Sequence, residues 1–474
     1  MNYQTVIGLE VHVQLKTKSK IFCSCPADFD APANTNICPV CCGYPGVLPV
    51  FNKQALKLGI RVALALSCKI NDSIYFERKN YFYPDLPKNY QISQYKMPLG
   101  EKGYLELPGG KKIGITRVHL EEDAGKLIHK DNYSLVDLNR TGTPLLEIVS
   151  EPDIADTQEA YDYLTYLKLT LQYIEASDCD MEKGSLRCDA NISLKLKEAA
   201  ELGTKVELKN MNSFKGVRDG LEFEEKRQAN CLETGEKIFQ ETRLWDAEKS
   251  KTYVMRSKEE AHDYRYFPEP DLPDFKVARE LIEEEKKHLG EQPLDKYRRF
   301  TAGYKLSGKD ADVFVQDSWL GKFFEEACGH FNRPDKIAGW LLGPFLEHVN
   351  ERGRESIKIT PQNFAKIIQL FCEDKLNNLA AKKVIALCIN TNDSIEGIIN
   401  KEGLAQVSDS GGLRGFVDAA LAENPKVVEE YLAGKEQAMM FLVGQVMKKS
   451  KGKANPKVTR EMLEGKIKNL KSDK

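Results

Sequence analysis

The chain contains no GxxxxGK[ST], GxGxxG or HExxH segment. A nucleotide site here cannot rest on a P-loop or a glycine-rich Rossmann turn, and a zincin helix is excluded. No apolar run approaches the length of a membrane span, so no transmembrane helix and no membrane partner are expected. The N-terminus enters a strand-like segment within a few residues, which leaves no signal or transit peptide to expect. Internal repeats and low-complexity tracts are missing. Net charge is nearly absent too: 69 Lys and Arg face 71 Asp and Glu, a formal −2, so the molecule as a whole is no polycation. The twelve cysteines are scattered rather than framework-spaced, apart from one early cluster, which predicts a reducing, cytoplasmic address. The 474 residues supply ample material for a core and about two to four domains.

Residues 5–15, TVIGLEVHVQL, alternate cleanly. Ile7, Leu9, Val11, Val13 and Leu15 fall on one strand face, and Gly8, Glu10, His12 and Gln14 on the other. A carboxylate and an imidazole side by side can serve as half of a metal site, though a solvated sheet face would look the same. Further carboxylates tip the balance. SLRCDANISL, 185–194, alternates again and puts Arg187 and Asp189 on its polar face. TPLLEIVS places Glu147 inside an apolar run, where an unpaired carboxylate would be costly. HLEEDAG offers Glu121, Glu122 and Asp123, which repel one another unless bases, solvent or metal intervene. Convergence of Glu10, His12, Glu122, Glu147 and Asp189 on a divalent ion is the expectation, and oxygen-rich ligands with one imidazole suit Mg²⁺ or Mn²⁺ better than zinc.

The early cysteine cluster is Cys23-Ser-Cys25, twelve residues, then Cys38-Pro-Val-Cys41 with Cys42 adjacent. Two close thiolate pairs across a short loop fit tetrahedral zinc, and four thiolates leave no open position for chemistry, so Zn²⁺ here would be structural. Reduced thiols in a loop are the alternative.

Three parts are expected: 1–293, rich in strands; 294–407, helical; and 408–474, a short helical tail. In the first, Asp156 with Glu159 predicts a capped helix whose stripe is Ala160, Leu164, Leu167, Leu171 and Ile174. The charged EEEKKHLGEQPLDK marks the first boundary, and SDSGG, near Val407–Gly412, the second. Thr360 and Pro361 open a helix with Phe364, Ile367, Ile368 and Phe371 on its apolar face. In the tail, Met439, Leu442, Val443 and Val446 form one stripe, and Leu463, Ile467 and Leu470 another. From Lys448 onward, ten Lys and Arg face three acids, with Lys448, Lys449, Lys451 and Lys453 clustered before Asn455-Pro456. Such cations suit a phosphate backbone, although a merely soluble tail has the same composition.

Phosphate handling in the first part falls to unusual pieces. KNYFYPDLPKNYQISQY interleaves Lys79, Lys88 and Asn89 with Tyr81, Phe82, Tyr83, Tyr90 and Tyr95. KVELKNMNSF supplies Lys205, Glu207, Lys209, Asn210 and Asn212, and DYRYFPEPD sets Arg265 between two tyrosines. Lys and Arg beside a Mg²⁺ site would offset a triphosphate.

The strings IGLEVHVQL, RKNYFYPDLPKNYQISQY, HLEEDAGK, SLVDLNRTGTPLLEIVSEPD, MEKGSLRCDANISL, ELKNMNSF, DYRYFPEPD and FLVGQVMKKSKGKANP occur in this order. Together they closely resemble the B-subunit (GatB) family of the tRNA-dependent amidotransferase, across essentially the whole chain. The resemblance implies an α+β fold: a β-rich cradle-shaped catalytic domain, a helical domain and a tRNA-gripping tail. It implies partnership with the glutaminase (GatA) and with a small third chain (GatC) of the same complex. It also implies ATP-dependent phosphorylation of the side-chain carboxylate of Glu-tRNA(Gln) or Asp-tRNA(Asn), followed by amidation with ammonia from the glutaminase. Carried onto this sequence, it makes Glu10, His12, Glu122, Glu147 and Asp189 the Mg²⁺ site, with Glu10, Glu147 and Asp189 catalytic. Lys79, Tyr81, Lys88, Arg187 and Lys205 are then candidates for ATP or carboxylate contacts. Cys23, Cys25, Cys38 and Cys41 match the zinc-bearing branch. A noncatalytic tRNA scaffold and a stand-alone ligase for a free amino acid stay as competing readings; a scaffold would scatter the five ligands or pair them with Lys and Arg.

Overall fold

A computed structural model of the chain describes residues 3–257, 264–389, 391, 394–406, 410–450 and 452–472, and the fold is α+β. Two compact units divide it, residues 1–296 and 297–474, so the first ends three residues beyond the boundary expected at 293.

Alternation in the first strand, Tyr3–Gln14, becomes a central position in a twelve-stranded sheet. On one side it pairs antiparallel with Pro144–Ser150, which leads to Lys112–Glu122, Tyr90–Ser93, Glu77–Asn80 and Phe267–Pro268. On the other side it pairs antiparallel with Leu186–Leu196, which leads to Val206–Lys209, Glu241–Asp246 and Lys251–Ser257. Val206–Lys209 and Glu241–Asp246 run parallel. Parallel neighbours require a crossover, here the helix Phe214–Thr234.

One face of this sheet makes the core. Ile7, Leu9, Val11 and Val13 are fully buried there, joined by Leu146, Ile148, Leu186, Cys188, Ala190 and Ile192. Helix Lys53–Ala65 lies against Lys112–Glu122 and Gly100–Glu106, and Phe214–Thr234 against Leu186–Leu196. The predicted helix is Thr157–Tyr173, with its stripe Ala160, Leu164, Leu167 and Leu171 buried and Ile174 buried at its C-cap. Asp156 accepts from Glu159 N at 2.7 Å. Glu159 returns to Ala155 N at 2.8 Å, one residue ahead of the usual capping-box donor.

In the second unit the described residues are helical, around two separate cores. Phe300, Phe314, Phe324, Phe345 and Phe364 centre the first, and Leu413, Met439, Leu442, Val446 and Leu463 the second. Thr360 caps Pro361–Cys372 by accepting from Asn363 N at 3.2 Å. Residues 407–409 of the expected second boundary, Lys451, and the side chain of Leu470 lie outside the described residues. No helix among the described residues is long and apolar enough to cross a membrane.

Candidate active site and thiol cluster

The register of the sheet assembles the polar face. His12 stands opposite Glu147 on one neighbour and Arg187 on the other, and Glu10 opposite Asp189. Glu147 in turn stands opposite His119, and Leu145 opposite Glu121. Period 2 keeps all these polar groups on the side away from the core.

Two triads result. Ligand atoms of His12, Glu121 and Glu147 lie within 4.8 Å of one another, and so do those of Glu10, Asp189 and Glu207. His12 Nε2 is 3.4 Å from Glu147 and 3.9 Å from Glu121. His119 Nε2 approaches the same two acids at 3.4 and 3.7 Å. Ser93 donates to Glu121 at 3.1 Å. In the second triad, Asp189 and Glu207 flank Lys209, and Thr242 donates to Glu207 at 2.7 Å.

Electrostatics set this face apart from a solvated one. Burial, then the charges of Glu147 and Asp189, push the Glu10 carboxyl up, with His12 and Lys209 only partly offsetting them. Burial works against the charge of Glu147 as well, but His119 and His12 hold its carboxyl well below the usual range. Burial would discharge Lys79, yet Glu121, Tyr266 and Glu147 keep its ammonium charged. Crowded, half-desolvated carboxylates beside two imidazoles fit a divalent cation by donor type, with Lys79, Arg117 and Lys209 offsetting part of their charge.

The expected five-residue set is thus only partly brought together. Glu10, His12, Glu147 and Asp189 share the face. Glu122 does not: it follows Glu121 on the strand and points to the opposite side, where it accepts from Ile92 N at 2.8 Å and pairs with Lys88 at 2.5 Å. Glu121 occupies the face instead, and sequence reasoning passed over His119, Glu207, Lys209 and Arg117 as members. Alternation in RVHLEE carries the signal, since Arg117, His119 and Glu121 share one parity and Glu122 the other. Of the expected phosphate contacts, Lys79 lies near the triad, its Nζ 5.1 Å from the Tyr264 ring centroid and 5.9 Å from that of Tyr81. Tyr81 donates to Gln91 at 3.1 Å. Arg187 is engaged with Asp123 at 2.8 Å. Lys88 is turned to Glu122, and Lys205 is exposed just ahead of its strand. Asp263 of DYRYFPEPD lies outside the described residues.

Cys23, Cys25, Cys38 and Cys41 converge, all four sulfurs within 4.8 Å of one another. Cys38 N donates to Cys41 Sγ at 3.2 Å, and Lys20, fully buried, sends Nζ to 3.5 Å from it. A hydrogen bond from the Cys23 thiol, aided by Cys38 and Lys20, draws the Cys41 thiol down to about 4 despite burial. Burial pushes Cys25 up to about 11. Four sulfurs converging around a built-in thiolate suit a tetrahedral thiophilic ion.

Comparison with known proteins joins this geometry to a family. Residues 5–283 match the GatB/GatE catalytic domain, and 322–467 match the GatB domain. Over 478 residues the chain is 49% identical to the aspartyl/glutamyl-tRNA(Asn/Gln) amidotransferase B-subunit of Carboxydothermus hydrogenoformans, with 99% of both chains covered. The protein of the same name in Thermoanaerobacter pseudethanolicus is 50% identical over 469 residues, spanning 98% of this chain and 99% of the relative. That of Thermotoga petrophila is 47% identical over 476 residues, with 98% and 99% covered.

Proposed function

This chain belongs to the GatB family of tRNA-dependent amidotransferase B-subunits, and we propose that its polar sheet face activates the side-chain carboxylate of Glu-tRNA(Gln) or Asp-tRNA(Asn) with ATP. In this reading it works beside the glutaminase and the small third chain of the complex. The γ-phosphoryl of ATP moves to one carboxylate oxygen and ADP leaves. Ammonia then attacks the acyl carbon, inorganic phosphate departs with that oxygen, and loss of a proton leaves the amide.

Such phosphoryl transfer asks for alignment and charge neutralisation rather than a covalent protein nucleophile. His12, Glu121 and Glu147 would hold one Mg²⁺, and Glu10, Asp189 and Glu207 a second. Magnesium bound there would neutralise phosphate oxygens and orient the acceptor. Lys79, Arg117, Arg187 and Lys209 surround the triads and offset the charge of the nucleotide. Cys188, the nearest thiol in sequence to Asp189, is buried on the core face with its thiol pushed well up by that burial, which suits a mechanism without a cysteine nucleophile. Structural Zn²⁺ is assigned to Cys23, Cys25, Cys38 and Cys41.

The observation that carries this reading is the first of the two carboxylate triads on one face. A scaffold would pair all its acids with Lys and Arg, as Glu122 is with Lys88 and Asp189 with Lys209; Glu121 instead faces His12, His119 and Ser93, so the first triad carries the argument. The test is ATP-dependent conversion of Glu-tRNA(Gln) with free ammonia by the assembled complex. Glu147→Ala should lower the rate about a thousandfold, with tRNA binding retained. Full ammonia-dependent activity in that variant would overturn the metal assignment.

A further inference from the structure

The two carboxylate triads differ in what already stands among their oxygens. Ion pairs of Glu121 and Glu147 among the described residues run to His12, His119 and Arg117. Both imidazoles face Glu147 Oε2, each with Nε2 at 3.4 Å. Arg117 reaches Glu147 at 3.6 Å on Oε1, the other oxygen, which leaves Oε2 on the imidazole side. The second triad carries a lysine instead. Lys209 Nζ donates to Asp189 Oδ2 and lies 3.5 Å from Glu207 Oε1, so one ammonium bridges two of the three acids. Glu207 Oε2 is engaged as well, accepting from Thr242 at 2.7 Å.

Strand register puts the lysine there. Ala190 stands opposite Leu208 and Asn191 opposite Glu207, which sets Asp189 beside Lys209 on the polar face. Lys209 closes its strand, and Asn210 follows with a left-handed backbone, φ 68°. The Lys209 side chain is 30% exposed, against 4% for His119. Its long stem lets the ammonium move out to water, whereas the His119 ring is packed in place.

Two cations cannot share the same oxygens. A divalent ion held by Glu10, Asp189 and Glu207 would sit about 2 Å from each ligand oxygen, against an ammonium bonded to two of those acids. Like charges that close repel strongly in a half-desolvated site. Resting on the reading that these acids bind Mg²⁺, we propose that Lys209 is the resident cation of the second triad and sets the order of metal loading. The chain by itself takes one divalent ion on this face, at His12, Glu121 and Glu147. The second triad admits metal only when Lys209 is displaced from Asp189 and Glu207.

Manganese(II) counts the sites in the assembled complex without nucleotide, read from loss of the free-ion signal in electron paramagnetic resonance. Wild type should bind one ion at this face, lost in Glu147→Gln and kept in Glu207→Gln. Lys209→Met keeps an apolar stem and removes the charge. It should bind two ions, with affinity at the second triad raised about a hundredfold, and adding Asp189→Asn should return the count to one. Lys209→Arg, which keeps the charge, should stay at one. Lys209→Gln replaces Lys209→Met if the latter lowers the melting temperature, and if both do, the Glu207→Gln count decides alone. Two ions in wild type, one of them lost in Glu207→Gln, would overturn the proposal, as would a folded neutral variant that still binds one. An unchanged count in Glu147→Gln would instead overturn the parent reading that the first triad holds metal.

Discussion

The thiol quartet and the carboxylate face are two metal-competent clusters built in opposite ways. Cys23, Cys25, Cys38 and Cys41 hang from irregular backbone, tied by short-range bonds such as Cys38 N to Cys41 Sγ at 3.2 Å. The carboxylates stand on paired strands whose other face is core, so Ile7, Leu9, Val11 and Val13 position Glu10 and His12 before any ion arrives. The loop depends on its ligand set for shape, whereas the face has its shape from the sheet and is left with surplus charge. From this we expect metal loss to unfold the first locally and to silence the second without unfolding it.

The sharpest way to break the comparison uses neighbouring acids. Glu121→Gln should cost about two to three orders of magnitude in amide formation, with a melting temperature close to wild type. Glu122→Gln, one residue on and facing the other side, should keep the magnesium dependence of the reaction. It should also lose about 3 kcal/mol of stability, because Lys88 is left beside a neutral partner in a buried setting. Parallel melting curves and initial rates on the two variants decide it. If Glu122→Gln gave the larger rate loss, the catalytic face would be the opposite one.

That contrast also shows how far the residues spoke for themselves. Alternation in TVIGLEVHVQL and SLRCDANISL marked the core face and put Glu10, His12 and Asp189 on the polar face of the candidate site, because strand parity is local. Glu121 was equally legible from its parity with His119, but three adjacent acids obscure parity unless the strand is followed back to Arg117. Glu207 and Lys209 were visible as an alternating pair. Their place beside Asp189 depends on pairing Val206–Lys209 with Leu186–Leu196, a nonlocal register that composition does not encode. The parallel crossover through Phe214–Thr234 was hidden for the same reason.

A smaller effect is expected from the loop. Removing zinc from the complex with a chelator should lower the melting temperature by several degrees and open residues 23–42 to proteolysis, as lost metal sites usually do. The reaction's magnesium requirement should stay as it was. Chymotryptic mapping at Phe29, the aromatic within that segment, before and after chelation checks this. Equal protection in both states would mean that Lys20 and the local hydrogen bonds hold the loop without an ion, and the two clusters would then differ less than their scaffolds suggest.

The smallest effect is expected at Cys42, which adjoins the quartet in sequence and lies outside it in space. Its thiol is pushed up by burial and by the neighbouring charge of Cys41, toward which it donates a hydrogen bond. A serine hydroxyl can make that donation and cannot take over as a thiolate ligand. Cys42→Ser should therefore keep one zinc per chain by elemental analysis and leave the melting temperature within about one degree, since it removes neither a ligand nor a buried contact of size. Cys41→Ser, by contrast, removes the sulfur on which the bonds from Cys38 and Lys20 converge, and should lose the metal. If the two serines behaved alike, the fourth ligand would be interchangeable between adjacent cysteines. Loop position rather than sulfur geometry would then govern this cluster, which is the reverse of what strand register does for the carboxylates.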